Sequence, residues 1–315
     1  MVSRRSVLQT GAAVGGITSL AGCSRDGTDT SDSNETQSDS TNNTSTEGTA
    51  ESDGGGVSFD GETTAYTEWM FNPAEINVES AGFGYTDVTT LLDSDAKSAS
   101  ELESYYGAMF GDRLSVDDIE YSLTMNQFVI LSGNVDGATL ANGLGLSEEG
   151  EYRDFTVFTD DGGFLLAEST DYVLAGRGAY GIESDNRMEL KLAIDTYVDE
   201  RDRYVEREGA YEDLMSQLST ATVSYGDLPA PSVAEEADES DFLTSAVTQE
   251  IRDDQLALTV VELYGGETDV DLNALEQEYE TTTSEELTIV GTSQEGRLAM
   301  VELEGEPSDV DLEPI

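Results

Sequence analysis

The sequence contains no histidine and a single cysteine, Cys23, and each shortage excludes a class of chemistry. Histidine is the commonest general base and a frequent metal ligand, so Ser-His nucleophiles and the usual zinc, blue-copper and c-type haem sites are excluded. Cys23 has no partner within the chain, so no intrachain disulfide can form. The sequence therefore predicts no metal, no cofactor and no catalytic residue of these kinds.

Positive charge is also scarce, with 14 Lys+Arg against 67 Asp+Glu and a formal net charge of -53 at pH 7. Nucleic-acid binding needs clustered lysine and arginine, so no nucleic-acid partner is predicted. In molar salt the Debye length falls to about 3 Å, which screens the repulsion between carboxylates. The acidic excess indicates halophilic adaptation over the whole surface rather than one acidic binding patch.

The first residues have the layout of an export signal. Arg4 and Arg5 precede a run of small and apolar residues, and no acidic residue occurs before Asp26. The run 11–21 is too short and too rich in glycine to span about 30 Å of hydrocarbon as a stable helix. We expect it to be removed rather than retained.

Two motifs in this region resemble those of a known class of exported protein. Residues 3–9 (SRRSVLQ) resemble the twin-arginine translocation signal, with Val7 where Phe is commoner and Gln9 where Lys is commoner. A sequence that resembles a lipobox follows, formed by Leu20, Ala21, Gly22 and Cys23. Together the motifs resemble the precursor of a haloarchaeal surface lipoprotein.

This resemblance implies a signal peptide at residues 1–22, a lipid on Cys23 and passage through the twin-arginine translocase, which carries folded proteins. It also implies that the domain is lipid-anchored at the outer face of the cytoplasmic membrane. Two acyl chains anchor stably where one binds marginally, which suits a diacyl-type modification. An unmodified Cys23 in a flexible tail is the alternative.

Residues 23–56 contain almost no apolar side chain and are dominated by Ser, Thr, Asp, Glu, Asn and Gly. This composition cannot bury a core and predicts a disordered, extended stalk. Three N-x-Ser/Thr sequons, at Asn34, Asn42 and Asn43, are candidate glycosylation sites. Chance occurrence in a segment rich in serine and threonine is the alternative.

The pattern of residues 57–315 predicts an α+β fold, with antiparallel sheets backed by helices. Strands are expected at 81–88, 119–125, 152–158, 164–167, 172–175, 221–228, 242–251, 255–264, 286–291 and 297–303, and residues 128–131 either extend the strand 119–125 or form its hairpin partner. Helices are expected at 98–110, 136–144, 187–208, 211–218 and 273–279. The segment around Trp69 is expected to pack in the core, and an exposed aromatic binding site is the alternative.

The order of these elements recurs and suggests two pseudo-repeated halves, 57–208 and 209–303, followed by an acidic tail, 304–315. In each half a strand is followed by further strands, then by a short acidic segment before a helix, then by a strand pair. The acidic segments are 134–136 and 269–271. Identity between the halves is slight, so chance recurrence is the alternative.

The acidic residues give no convincing catalytic or metal-binding motif. Asp269, Asp271, Asn273 and Glu280 have the spacing of a calcium-binding loop, but Ala274 replaces the glycine of its sharp turn. Asp271 and Asn273 are also well placed to cap a helix. A glycosidase needs two carboxylates across a sugar cleft, and among so many acids no pair is informative.

These observations favour a non-catalytic, lipid-anchored cell-surface protein of an extreme halophile, whose partner or ligand the sequence does not reveal. An extracellular solute-binding or transport-associated lipoprotein is the first alternative, and an aromatic pocket near Trp69 would favour it. A carboxylate-dependent hydrolase is the second, and it would need two acids with abnormal titration in one cleft.

Overall fold

The computed structural model describes residues 65–306, apart from residues 77, 79, 95, 126–127, 178–185, 199–203, 205–208, 219–220, 253–254, 268 and 283–286. The predicted signal peptide, Cys23, the stalk with its three sequons, and residues 307–315 lie outside the described residues. Within the described part, no helix is both long and apolar enough to span a membrane.

In the described part of the chain, twelve strands form one sheet, and every neighbouring pair is antiparallel. Along the chain they are β1 Ser80–Asp87, β2 Ile119–Met125, β3 Phe128–Gly133, β4 Ser147–Tyr152, β5 Phe155–Thr159, β6 Phe164–Glu168, β7 Tyr172–Arg177, β8 Val223–Pro229, β9 Phe242–Arg252, β10 Gln255–Tyr264, β11 Thr288–Glu295 and β12 Leu298–Gly305. Their order across the sheet is β11-β12-β10-β9-β8-β1-β2-β3-β7-β6-β5-β4.

The described helices are α1 Val88–Asp93, α2 Ala99–Phe110, α3 Gly137–Leu144, α4 Asn186–Tyr197, α5 Gly209–Gln217, α6 Pro231–Glu235 and α7 Leu272–Thr282. Several begin at a side chain that accepts a hydrogen bond from the first turn, which satisfies an otherwise unpaired backbone N–H. Ser98 forms a capping box with Glu101 at α2, and Asp136 accepts from the Thr139 N–H at α3. Local sequence therefore fixes where these helices start.

Alternating side chains along the strands send apolar residues to both faces of the sheet. On β10, for example, Val260 and Val261 are both fully buried but belong to different core clusters. The cluster of Val261 includes residues of the 3-10 turn Ala65–Trp69, α4 and α5, and we call that side the α4 face. The cluster of Val260 includes residues of α1, α2, α3 and α7, and that side is the α7 face.

Much of the predicted secondary structure is confirmed. Strands occupy the predicted positions in β1, β2, β6, β7, β8, β9, β10 and β12, and β3 is the hairpin partner of β2. Helices occur at the predicted positions in α2, α3, α5 and α7. The predicted helix 187–208 is present as Asn186–Tyr197, and most of its remainder lies outside the described residues.

Other expectations were wrong. The predicted strand 152–158 is the end of β4, a turn and then β5, because the chain reverses at Arg153 and Asp154. Helix α5 begins at Gly209, two residues before the predicted start at 211. Glu304 belongs to β12 rather than to a tail, since it pairs with Ala257 and Thr288. The expected separate sheets are one sheet, because β1 pairs with β8 from Ser80↔Pro229 to Thr86↔Val223.

Candidate functional site

A cavity of about 160 Å³ lies on the α4 face, where the β4–β5 hairpin meets α4. The residues that line it are Glu149, Gly150, Glu151, Tyr152, Val157, Leu165, Leu190 and Lys191. It lies at the outer end of the sheet, because β4 is an edge strand in the sheet order. Sequence analysis did not predict a cavity at this position.

One strand position that lines the cavity lacks a side chain. Gly150 pairs with Val157 across the hairpin, immediately after a bulge at Glu149. Its φ of 150° is unfavourable for other residues, and a Cβ placed on it would have no atom within 4 Å. The space next to Val157 therefore stays open.

The floor of the cavity is apolar and the rim is charged. Leu165 and Leu190 are buried members of the core, and Val157 packs partly buried against them. At the rim, Glu149, Glu151 and Lys191 are exposed. A ligand held here would meet hydrocarbon at its inner end and charges of both signs at its outer end.

Tyr152 joins the hairpin to α4 through a polar network. Its hydroxyl donates to both carboxylate oxygens of Asp195 at 2.9 Å, and Arg153 Nε donates to Asp195 Oδ1 at 3.0 Å. The ring of Tyr152 also lies under two cations, with Lys191 Nζ 5.1 Å and Arg153 Cζ 5.6 Å from its centroid. Burial, followed by the hydrogen bond and charge of Asp195, raises the pKa of the Tyr152 hydroxyl, so it remains a hydrogen-bond donor.

The backbone at Arg153 is strained. Its φ is 55°, and among the described residues it is the one non-glycine residue with a positive φ. This conformation is unfavourable for a side chain with a Cβ, so surrounding contacts must hold it. The ion pair with Asp195 is one such contact, and it fixes the turn over α4.

The aromatic segment around Trp69 is part of the core. The indole ring of Trp69 is fully buried, stacks on Tyr197 at 4.1 Å with an interplanar angle of 3°, and meets Tyr172 at 5.0 Å edge-on. Phe155 lies 6.5 Å away, also edge-on. The core interpretation is therefore confirmed, and the alternative of an exposed binding site at Trp69 is wrong.

The tyrosines around this core remain protonated well into alkaline solution. Burial, followed by the proximity of Tyr172, raises the pKa of Tyr197 to about 12. Burial and the Tyr121 hydroxyl also raise the pKa of Tyr172. Tyr121 donates a hydrogen bond to the Tyr172 oxygen at 3.3 Å. These phenols are hydrogen-bonding and packing groups at physiological pH.

The calcium-loop spacing does not produce a loop. Asn273 and Glu280 lie within α7, and Asp271 Oδ1 accepts from the Ala274 N–H at 3.1 Å as the helix cap. No group of three or more acidic or cysteine side chains suited to a metal ion occurs among the described residues. The helix-cap interpretation is confirmed for Asp271, whereas Asn273 lies inside the helix and does not cap it.

One buried and one half-buried carboxyl group lie far from the cavity in the sheet order. Glu262 on β10 accepts hydrogen bonds from Tyr264 at 2.7 Å and Tyr279 at 3.1 Å, which ties β10 to α7. Burial raises the pKa of Asp227 on β8. Six strands separate β8 from β4 in the sheet. Neither carboxyl can therefore pair with Glu149 or Glu151 across the cavity.

The structure brings together residues that the sequence did not group. Tyr152, Lys191 and Asp195 lie far apart in the chain and meet only because the hairpin packs on α4. The scarcity of lysine was the one available signal, since Lys191 is one of two in the chain. The predicted anchor and glycosylation residues lie outside the described part.

No family model matches the chain, and no curated protein gives a significant match to it. Among solved structures, the chain matches those of TP0453. Its crystal form III has a TM-score of 0.44 at 10% identity, covering 76% of this chain and 95% of the other. Crystal form IV has a TM-score of 0.43 at 10% identity, covering 76% of this chain and 94% of the other.

Proposed function

We propose that this protein is a lipid-anchored cell-surface protein of an extreme halophile, and that its α+β domain binds an extracellular ligand or partner without catalysing a reaction. The observation that carries the proposal is the sequence of Leu20, Ala21, Gly22 and Cys23 directly after an apolar run that begins behind Arg4 and Arg5. The proposed partners are the membrane, through the lipid on Cys23, and the twin-arginine translocase during export.

The position of the domain in the chain supports this arrangement. The first described element begins at Ala65, so residues 24–64 separate the domain from Cys23. As a random coil, residues 24–56 would reach about 30 Å, enough to hold a domain away from a lipid surface. Asn34, Asn42 and Asn43 fall in this stretch, where attached glycans would face the exterior.

The first test compares wild type with Cys23→Ser, both produced as the full chain in a high-salt host. Wild type is expected in the membrane fraction, with a chain that starts at Cys23 and carries a lipid-sized mass increment. Cys23→Ser is expected to be released or to remain as the precursor, because the acceptor thiol is absent. Membrane fractionation and intact mass measure both results.

Ser24→Ala is the matched control, since it changes the neighbouring residue and keeps the thiol. It should fractionate like wild type. The anchor proposal fails if wild type and Cys23→Ser are both soluble and both begin at Met1.

Solute binding is a second candidate function, and the cavity beside Gly150 favours it. Its apolar floor and charged rim have the character of a ligand site, in which a few polar groups orient a mainly apolar ligand. Its volume restricts it to a small ligand. A transport-associated receptor would use such a cavity outside the membrane.

We further propose that the two halves are pseudo-repeats of one unit. Two features support this. First, the order of elements along the chain is the same in both halves. The first half has β1, β2, β3, α3, β6 and β7, and the second has β8, β9, β10, α7, β11 and β12, so that β4 and β5 form an added hairpin in the first half. Second, strand order runs outward from the β1–β8 pair through corresponding strands on each side. Superposing Ser80–Arg177 on Val223–Gly305 tests the idea, and a fit that fails to align α3 with α7 would contradict it.

A further inference from the structure

The cavity between the β4–β5 hairpin and α4 has the size of a small side chain. Its volume is about 160 Å³, and an apolar cavity of about 150 Å³ holds a benzene-sized ligand. Val157, Leu165 and Leu190 form an apolar floor, so the inner part of a ligand must be hydrocarbon. A group of about four to six carbons fits this space.

The outer end of the cavity presents charges of both signs. Lys191 supplies an ammonium group, and Glu149 and Glu151 supply carboxylates. An organic anion would be attracted by the ammonium group but repelled by the two carboxylates. An organic cation would be attracted by the carboxylates but repelled by the ammonium group. A head group with both charges matches all three side chains.

Lys191 already contacts an ordered aromatic ring in the absence of a ligand. Its Nζ lies 5.1 Å from the centroid of the Tyr152 ring, and Asp195 fixes the Tyr152 hydroxyl from α4. A preorganised charge binds more favourably because less side-chain entropy is lost. In molar salt, charges interact without strong screening only over about 3 Å. The Lys191 ammonium group would contact a ligand directly, so salt would screen this interaction little.

We propose that this cavity binds a free α-amino acid with an aliphatic side chain, such as leucine. The aliphatic group occupies the floor beside Gly150, the carboxylate faces Lys191, and the ammonium faces Glu149 and Glu151. The inference rests on the proposed function in its solute-binding form and names the ligand class of that site.

Calorimetric titration of the full chain in molar KCl tests the ligand class. Three probes share one aliphatic group: L-leucine, isocaproate, which lacks the ammonium, and isoamylamine, which lacks the carboxylate. Leucine is expected to bind saturably, and each other probe about tenfold or more weakly, because one charged partner at the rim is lost. The absence of saturable leucine binding overturns the proposal, and so does equally tight binding of either other probe.

Variants then test the location. Lys191→Ala is expected to weaken leucine binding about tenfold or more, while Lys191→Arg restores most of it and Lys97→Ala, at the other lysine of the chain, leaves it unchanged. Val157→Phe is expected to abolish binding by filling the floor. Circular dichroism checks that each variant is folded. Unchanged leucine affinity in folded Lys191→Ala overturns the site.

The outcome is separable from that of the anchor proposal. Cys23→Ser should bind leucine as wild type does, because the cavity lies within the described domain. A membrane-bound wild type that does not bind leucine overturns the site alone. A soluble wild type that does bind leucine overturns the anchor alone.

Discussion

At the scale of single residues, the least expected side chain is Glu262, which is fully buried in a protein whose other acids mostly face water. Two phenol hydroxyls, from Tyr264 and Tyr279, donate to its carboxylate. Buried polar groups are stable only when hydrogen-bonded, so this cluster ties its members to one geometry. Among 67 acids in the sequence, nothing distinguishes Glu262 beforehand.

Glu262→Ala is expected to lower the free energy of unfolding by about 3 kcal/mol or more, because both hydroxyls lose this buried acceptor. Tyr279→Phe removes one donor and should cost about 1–2 kcal/mol. Guanidinium denaturation in molar salt measures both changes.

The matched control is Glu280→Ala, which removes an exposed carboxylate next to Tyr279 on α7. It should change stability by no more than about 0.5 kcal/mol. A similar loss of unfolding free energy in Glu280→Ala and Glu262→Ala would show that the buried hydrogen bonds of Glu262 do not contribute specifically to stability.

At the scale of elements, local chemistry was predictable and turn geometry was not. Capping residues were expected near the starts of α2, α3 and α7, and the structure assigns this role to Ser98, Asp136 and Asp271, because a capping side chain acts within three residues of itself. The β4–β5 turn was missed because Arg153 occupies a left-handed conformation that glycine or asparagine normally signals. The candidate site depends on this turn, so it could not be predicted either.

Asp271→Ala is expected to destabilise the protein by about 1 kcal/mol, because the Ala274 N–H loses its capping acceptor. Asp269→Ala removes an exposed carboxylate just before the helix and should have little effect. Thermal unfolding followed by circular dichroism compares the two. Adding calcium should not alter the comparison, and calcium stabilisation that depends on Asp271 would contradict the cap interpretation.

At the scale of the whole molecule, the class of fold was predictable and the sheet was not. Period-two alternation identified the strands one by one, since it depends only on neighbouring residues. Which strands pair depends on contacts between distant segments, such as Phe83↔Met125 and Gly84↔Tyr225. The sequence therefore predicted antiparallel strands with helices but divided them between separate sheets.

The net charge of -53 predicts that stability rises with salt concentration. At low ionic strength the carboxylates repel one another over tens of ångströms, whereas in molar salt the repulsion is confined to about 3 Å. The thermal unfolding midpoint, measured in increasing KCl, is expected to rise throughout and to be lowest in dilute buffer. A midpoint that is independent of KCl would contradict the halophilic interpretation.

The pairing of β1 with β8 also determines how late during synthesis the sheet can be completed. Strand Ser80–Asp87 has one neighbour soon after it emerges, but its second edge stays open until Val223–Pro229 has been made. The centre of the sheet thus closes late and through contacts of long sequence separation, a feature that slows folding. A chain that crossed a membrane in the unfolded state would have to form the β1–β8 pairing, the seam at the centre of the sheet, outside the cell. A route that transports the finished domain, as proposed here, lets the seam close in the cytoplasm.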